Sequence, residues 1–221
     1  MTDYLLVHGG DVSTETWNTL TGGSPIYTES GRLGGRVWET VTPILKAQGH
    51  RTFTPTLINE HNCNLSGHIE QICLLITENG LRDILLVGHS YGGMIITGVT
   101  AKMPDVVRNL VYLDAAVPDP GQSLFDFIAA SGCDPLASIP GLEPAQAYVE
   151  KLWFDPQKIK PLRKTFIRCT KSELAPCAKS SLDKIASNRS RWTLLDVGTG
   201  HIPQATAPGE LAKLLLGIAK Q

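Results

Sequence analysis

Residues 84–94, ILLVGHSYGGM, run from four aliphatic residues into Gly88-His89-Ser90-Tyr91-Gly92. A serine held at a sharp strand-to-helix turn projects its hydroxyl above the carboxyl ends of the strands, and flanking glycines keep side chains out of the tightly folded backbone. Residue type and spacing therefore predict an exposed nucleophile at Ser90. A serine hydroxyl is weakly nucleophilic on its own and needs a base within reach. Of the six histidines, His201 in DVGTGHIPQ lies just past the last strand-like run and ahead of a C-terminal helical pattern. Strand ends of a parallel sheet converge on one rim, so Ser90 and His201 can meet despite their separation in sequence. His89 adjoins the serine and is expected to point away from it. His8 is expected to support the first loop.

Negative charge on a tetrahedral intermediate needs donors. The sequence VHGG closes the first strand-like run, and its two glycines let the backbone approach a substrate, so the amides of Gly10 and Tyr91 are the expected oxyanion hole. The base in turn needs a carboxylate. In LVYLDAAVP, Asp114 follows an apolar run at a strand's carboxyl end, where an unpaired carboxylate is costly unless it meets a partner such as His201. Glu173 in RCTKSELAP, one strand later, is the alternative acid. It stands where a helix is expected to begin, a place where carboxylates are commonplace.

The elements that must position these residues alternate. Strand patterns fall at 4–7, 51–57, 83–88, 110–115, 165–170 and 191–197, and helix patterns at 37–48, 65–78, 92–103, 175–187 and 208–219. Such alternation predicts an α/β domain with a mostly parallel sheet of about six strands, flanked by helices on both faces. Two segments break the pattern. Residues 11–36 form a long Gly-, Ser- and Thr-rich connection whose Trp17, Leu20, Ile26 and Tyr27 need something to cover, and it is expected to fold over the mouth of the site. Residues 117–161 read as a small inserted cap. Its Phe125, Phe127, Trp153 and Phe154, together with Ile202, are the expected lining of a small apolar pocket.

The 221-residue chain is long enough for one well-developed core, and 1–221 is read as a single domain. With 20 basic against 21 acidic residues, it has no electrostatic footprint for nucleic acid or an anionic membrane. No apolar run approaches membrane-spanning length, and the first strand pattern begins too early for a signal peptide, so a cytoplasmic protein is expected. Five cysteines, an odd number without metal-ligand spacing, predict neither a disulfide framework nor a metal site. The expected partner is a small apolar molecule, and the expected state is monomer or homodimer.

On LLVHGG, LVGHSYGGM, LVYLDAAVP and GTGHIPQATAPGELAKLL, the chain resembles the α/β-hydrolase fold family. It is most similar to the branch of small esterases and hydroxynitrile lyases that includes plant methylesterases and bacterial relatives. The resemblance implies a serine hydrolase working through an acyl-enzyme with Ser90 and His201 and no cofactor. Lyases of this branch carry threonine after the first-loop histidine and lysine after the catalytic histidine; here Gly9 and Ile202 stand in those places, which favours ester hydrolysis. The relatives place an aspartate where this chain has Ser172, which moves the expected acid to Asp114. Residues 11–36 are an insertion relative to the family. Two other readings stay open: a low-turnover, receptor-like binding protein of the same fold, and a hydroxynitrile lyase.

Overall fold

Alternating side chains along each strand point to opposite faces of a sheet, and here both faces are apolar, as a strand covered on two sides requires. A computed structural model describes residues 1–138 and 144–220 of the chain. Its strands are β1 (Asp3–Val7), β2 (Arg51–Phe53), β3 (Ile84–His89), β4 (Val107–Leu113), β5 (Arg163–Cys169) and β6 (Trp192–Val197). They form one six-stranded sheet in the order β2-β1-β3-β4-β5-β6, with every neighbouring pair parallel. The helices are α1 (Thr14–Thr21), α2 (Thr42–Ala47), α3 (Leu65–Glu78), α4 (Gly92–Lys102), α5 (Leu124–Ala130), α6 (Pro135–Ser138), α7 (Gln146–Val149), α8 (Pro156–Ile159), α9 (Lys179–Ser187), α10 (Pro203–Thr206) and α11 (Pro208–Ala219).

Leu5, Val7, Leu86, Leu110 and Phe166 face one layer, where Ile69 and Ile72 of α3 and Met94, Ile95 and Val99 of α4 bury them. Tyr4, Leu6, Leu85, Val87, Val111 and Ile167 face the other, against Trp38, Leu45, Leu211 and Leu215. The expected strand at 51–57 stops at Phe53, because the proline at position 55 has no N–H with which to extend the ladder of this edge strand. The expected helix at 37–48 is split into a 3-10 turn, Gly34–Trp38, and α2, whose first turn carries Pro43.

Strand β1 has β2 on one side and β3 on the other, so the chain's progress across the sheet reverses here. Ligand crevices open outside the carboxyl ends of strands at such a point. Val7 pairs in register with Gly88, which brings the loop after β1 beside the turn after β3.

Residues 11–36 are closed at their base by an antiparallel bridge between Ser13 and Arg32, with the Thr14 N–H donating to the Gly31 carbonyl at 2.9 Å. Trp17 on α1 is buried with Leu33 in the second core layer, and Ile26 packs against it. Leu20 and Tyr27 stay exposed. The segment at 117–161 is closed in the same way by a bridge between Gln122 and Leu152. Within it, 139–143 lie outside the described residues. No helix among the described residues is long and apolar enough to cross a membrane.

Candidate active site

Strand β3 delivers Ser90 to the crevice with φ of 56°, in the left-handed region that costs a residue bearing a β-carbon on the order of 1–3 kcal/mol. The surroundings hold it there. Its N–H donates to the Leu113 carbonyl at 3.2 Å, and its own carbonyl accepts from Gly93 at 3.1 Å and from Ala116 at 3.2 Å. The turn is too tight for side chains on either side: a β-carbon on Gly88 would lie 2.5 Å from the Gly92 carbonyl oxygen, and one on Gly92 would lie 2.9 Å from that of His8.

Asp114 leaves the end of β4 with φ of 43°, its N–H donating to the Ile167 carbonyl at 2.8 Å. From there its Oδ2 accepts a 2.7 Å hydrogen bond from Nδ1 of His201, which sits on the loop after β6. Burial alone would raise the Asp114 carboxyl. The hydrogen bond and charge of His201 outweigh it, with the Ser172 hydroxyl adding to them, and hold the group below the ordinary aspartate value. Glu173 also reaches His201, but at the main chain, where its Oε2 accepts from the His201 N–H at 3.3 Å. The two acids therefore meet the same residue in different ways: Asp114 on the ring, Glu173 on the backbone.

His89 does not simply turn aside. Its ring is buried 4.7 Å from that of His201, and its Nε2–H donates to the His201 carbonyl at 2.7 Å. Burial, and then the neighbouring His201, push its pKa down to about 3, so it serves as a neutral donor. His8 ties the first loop in place: Nδ1–H donates to the Gly9 carbonyl at 2.8 Å, and Nε2 accepts from the Leu57 N–H at 3.0 Å. No hydrogen bond joins Ser90 to His201 among the described residues, although both line one cavity.

Neither the Gly10 amide nor the Tyr91 amide donates a hydrogen bond among the described residues, and both residues line that cavity beside Ser90. The Tyr91 side chain is engaged elsewhere, its hydroxyl donating to His68 Nδ1 at 3.0 Å while His68 Nε2–H donates to the Ile58 carbonyl at 2.7 Å.

The cavity measures about 470 Å³. Of the aromatic and apolar residues expected to line it, Phe127 and Ile202 do so. Three do not. Phe125 packs into the core, Phe154 lines a separate hollow with Trp192 and Lys164, and Trp153 is 76% exposed with its ring over the Gly121 turn. The rest of the apolar wall comes from Leu124 and Ile128 on α5 and from Leu174, Cys177 and Ala178 after β5. Nor is the lining wholly apolar. Asp11, Ser13, Thr16 and Arg32 from the inserted segment, with Glu60, His61 and Tyr148, give it a polar side. Arg32 is held there by Nη1 donating to the Asp11 carbonyl at 2.6 Å. No periodicity in the sequence marks these residues, because they sit on loops and on two short helices, Thr16 on α1 and Tyr148 on α7.

A family model described as "Alpha/beta hydrolase family" matches residues 4–214. The chain belongs to the alpha/beta hydrolase family. Among curated relatives of this alpha/beta hydrolase, a carbendazim hydrolyzing esterase from a Nocardioides species is 36% identical over 132 residues, 56% of this chain and 46% of that one. Methylesterase 8 of Arabidopsis thaliana is 31% identical over 96 residues, 39% of this chain and 35% of that one. The matched region thus spans less than half the length of these curated relatives. Among solved structures, polyneuridine aldehyde esterase superposes with a TM-score of 0.75 at 15% identity, covering 99% of each chain. An extracellular alpha/beta-hydrolase from a Paenibacillus species gives 0.71 at 20% identity, covering 98% of each. At these identities the structural likeness speaks for the fold.

Proposed function

We propose that this alpha/beta hydrolase is a carboxylic-ester hydrolase acting on small esters. The observation that carries the reading is the convergence, on one cavity of about 470 Å³, of the strained Ser90, the His201–Asp114 pair at 2.7 Å and two amides without a hydrogen-bond partner. In this mechanism the Ser90 hydroxyl attacks the ester carbonyl while His201 Nε2 takes its proton. Asp114 fixes the tautomer that leaves Nε2 free and stabilises the imidazolium that forms. The carbonyl oxygen, now anionic, is held by the Gly10 and Tyr91 amides. His201 returns the proton to the departing alcohol, and water repeats the cycle on the acyl-enzyme. The names of the relatives, an esterase, a methylesterase and a pyrethroid hydrolase from Sphingobium wenxiniae, support the same reaction class.

The lyase alternative loses support at Ile202, which puts an apolar side chain in the cavity directly after His201, where lyases of this branch carry a lysine. The wall of Leu124, Phe127, Ile128 and Leu174 suits a short aliphatic or aromatic acyl group, and the polar side suits the alcohol portion. The deciding experiment is turnover of p-nitrophenyl acetate and butyrate by the wild type and by Ser90→Ala, with mandelonitrile cleavage measured in parallel. Ester turnover lost with Ser90 supports the reading. No ester turnover, with ligand binding retained, would leave the receptor-like alternative in its place.

A further inference from the structure

Tyr148 has no part in the triad, yet its placement is unusual for a structural tyrosine. The residue is 4% exposed, but its hydroxyl makes no hydrogen bond among the described residues. A hydroxyl that lacks a protein partner on a side chain otherwise packed away is left to meet water or a ligand. The hydroxyl is not sealed in the core. Tyr148 lines the cavity with Ser90 and His201, and a β-carbon built on Gly10 would lie 3.5 Å from its oxygen. The group thus reaches the active-site mouth from the cap, on the side of the first-loop amide.

Its ring is fixed. It packs edge-on against Tyr91 at 5.0 Å between centroids and 82° between planes, and Tyr91 is pinned through His68 to the Ile58 carbonyl. One of the two unpaired amides beside Ser90 belongs to Tyr91, so Tyr148 rests on the residue that supplies the hole.

We propose that the Tyr148 hydroxyl is a third donor to the substrate carbonyl oxygen, joining the Gly10 and Tyr91 amides as that oxygen becomes anionic. The inference rests on the ester-hydrolase reading and deepens it, since it makes the oxyanion site depend on the cap as well as on the sheet. Burial, followed by the nearby carboxylates of Glu60 and Asp11, raises the Tyr148 pKa and keeps the hydroxyl protonated as a donor at neutral pH. A donor aimed at developing charge lowers the barrier, whereas one that holds substrate and transition state alike changes KM.

Tyr148→Phe tests this, because it keeps the ring against Tyr91 and removes only the oxygen. The expected result is a fall in kcat of ~10- to 10²-fold for p-nitrophenyl butyrate with KM changed by less than ~3-fold. The affinity for butylboronic acid, whose tetrahedral adduct on Ser90 mimics the intermediate, should weaken by about the same factor as kcat/KM. That second readout, taken by calorimetry, needs no turnover, and a structural role for Tyr148 would not couple the two. Ser90-dependent turnover and boronate affinity both within ~2-fold of wild type in Tyr148→Phe would overturn the inference while leaving the hydrolase reading intact. A rise in KM alone would overturn it too, since it would assign the hydroxyl to uniform binding. If the wild type neither turns over esters nor binds the boronate through Ser90, the hydrolase reading fails, and this inference fails with it.

Discussion

Asp114 Oδ2 and His201 Nδ1 meet at 2.7 Å although 87 residues separate them in the chain. Both ends of the contact are set by backbone: Asp114 by its positive φ and its bond to β5, His201 by the His89 and Glu173 bonds to its main chain. An imidazole so held can present only its other nitrogen to the cavity.

Asp114→Asn should therefore lower kcat by up to ~10⁴-fold, because an amide there can stabilise the wrong tautomer and cannot balance an imidazolium. Glu173→Gln retains an oxygen that can accept from the His201 N–H and should cost less than ~10-fold. Steady-state kinetics of both variants check this. A crippled Glu173→Gln beside a nearly normal Asp114→Asn would mean that the acid lies on the later strand.

Ser90→Ala should reduce kcat by ~10⁴-fold or more, since members of such a constellation act as a unit. Its melting temperature should stay close to that of the wild type, because alanine tolerates the same backbone no worse than serine does. Ser90→Gly should be inactive yet no less stable, as glycine adopts a φ of 56° without strain. A large stability loss in both variants would show that the hydroxyl, rather than the turn, holds this corner together.

The pH dependence of stability follows from His89. Its folded pKa, pushed down to about 3, lies below the unfolded value of about 6.5, so between those limits the unfolded chain binds the extra proton. Stability then falls as pH falls, approaching about 1.4 kcal/mol per pH unit from this one group well below pH 6.5. His8 and His68, lowered first by burial, act in the same direction. Asp114, whose pKa is lowered, adds its loss only at more acid pH, below the ordinary carboxylate range. Urea titrations at pH 7, 6 and 5 should show the decline, and His89→Gln, which retains a neutral donor for the His201 carbonyl, should flatten it. An equally steep decline in the variant would assign the proton uptake elsewhere.

The sheet was legible from sequence because each strand is an apolar run bounded by turn residues, and the Ser90 turn because only glycines fit around it. The cap was not. Trp153 and Phe127 look equally suited to a pocket wall in sequence. Which of them turns inward depends on α5 having a capping box at Ser123 and Asp126, which fixes the face carrying Phe127, and on the bridge at Leu152, after which Trp153 faces out. Tyr148 carries no sequence signal for the same reason, lying on a four-residue helix too short to show a period.

Substitutions at these two aromatics should separate accordingly. Phe127→Ala enlarges the acyl wall and should shift preference toward longer acyl chains, raising the butyrate-to-acetate ratio of kcat/KM by several-fold, ~1 kcal/mol being a normal value for such pocket changes. Trp153→Ala, at an exposed position outside the cavity, should leave that ratio unchanged. Equal effects at the two positions would contradict the observed lining.

Residues 11–36 border the mouth of the site, and the placement of Trp17 and Arg32 gives the segment a part in stability as well as in binding. That side chain is 2% exposed within the second core layer, so Trp17→Ala should destabilise by about 3–5 kcal/mol through the cavity it leaves. Arg32, on the same segment, is exposed and reaches the cavity, so Arg32→Ala should change stability by no more than about 0.5 kcal/mol. Its effect belongs to binding. The guanidinium stands on the polar side, where the alcohol portion of an ester would rest, so KM should rise for esters whose alcohol carries a carboxylate or phosphate and change little for p-nitrophenyl acetate. Denaturant unfolding of the first variant and a paired-substrate KM comparison of the second check the division. If Trp17→Ala unfolds like the wild type, or if Arg32→Ala raises KM equally for both substrates, the segment does not combine a core anchor with a contact to substrate.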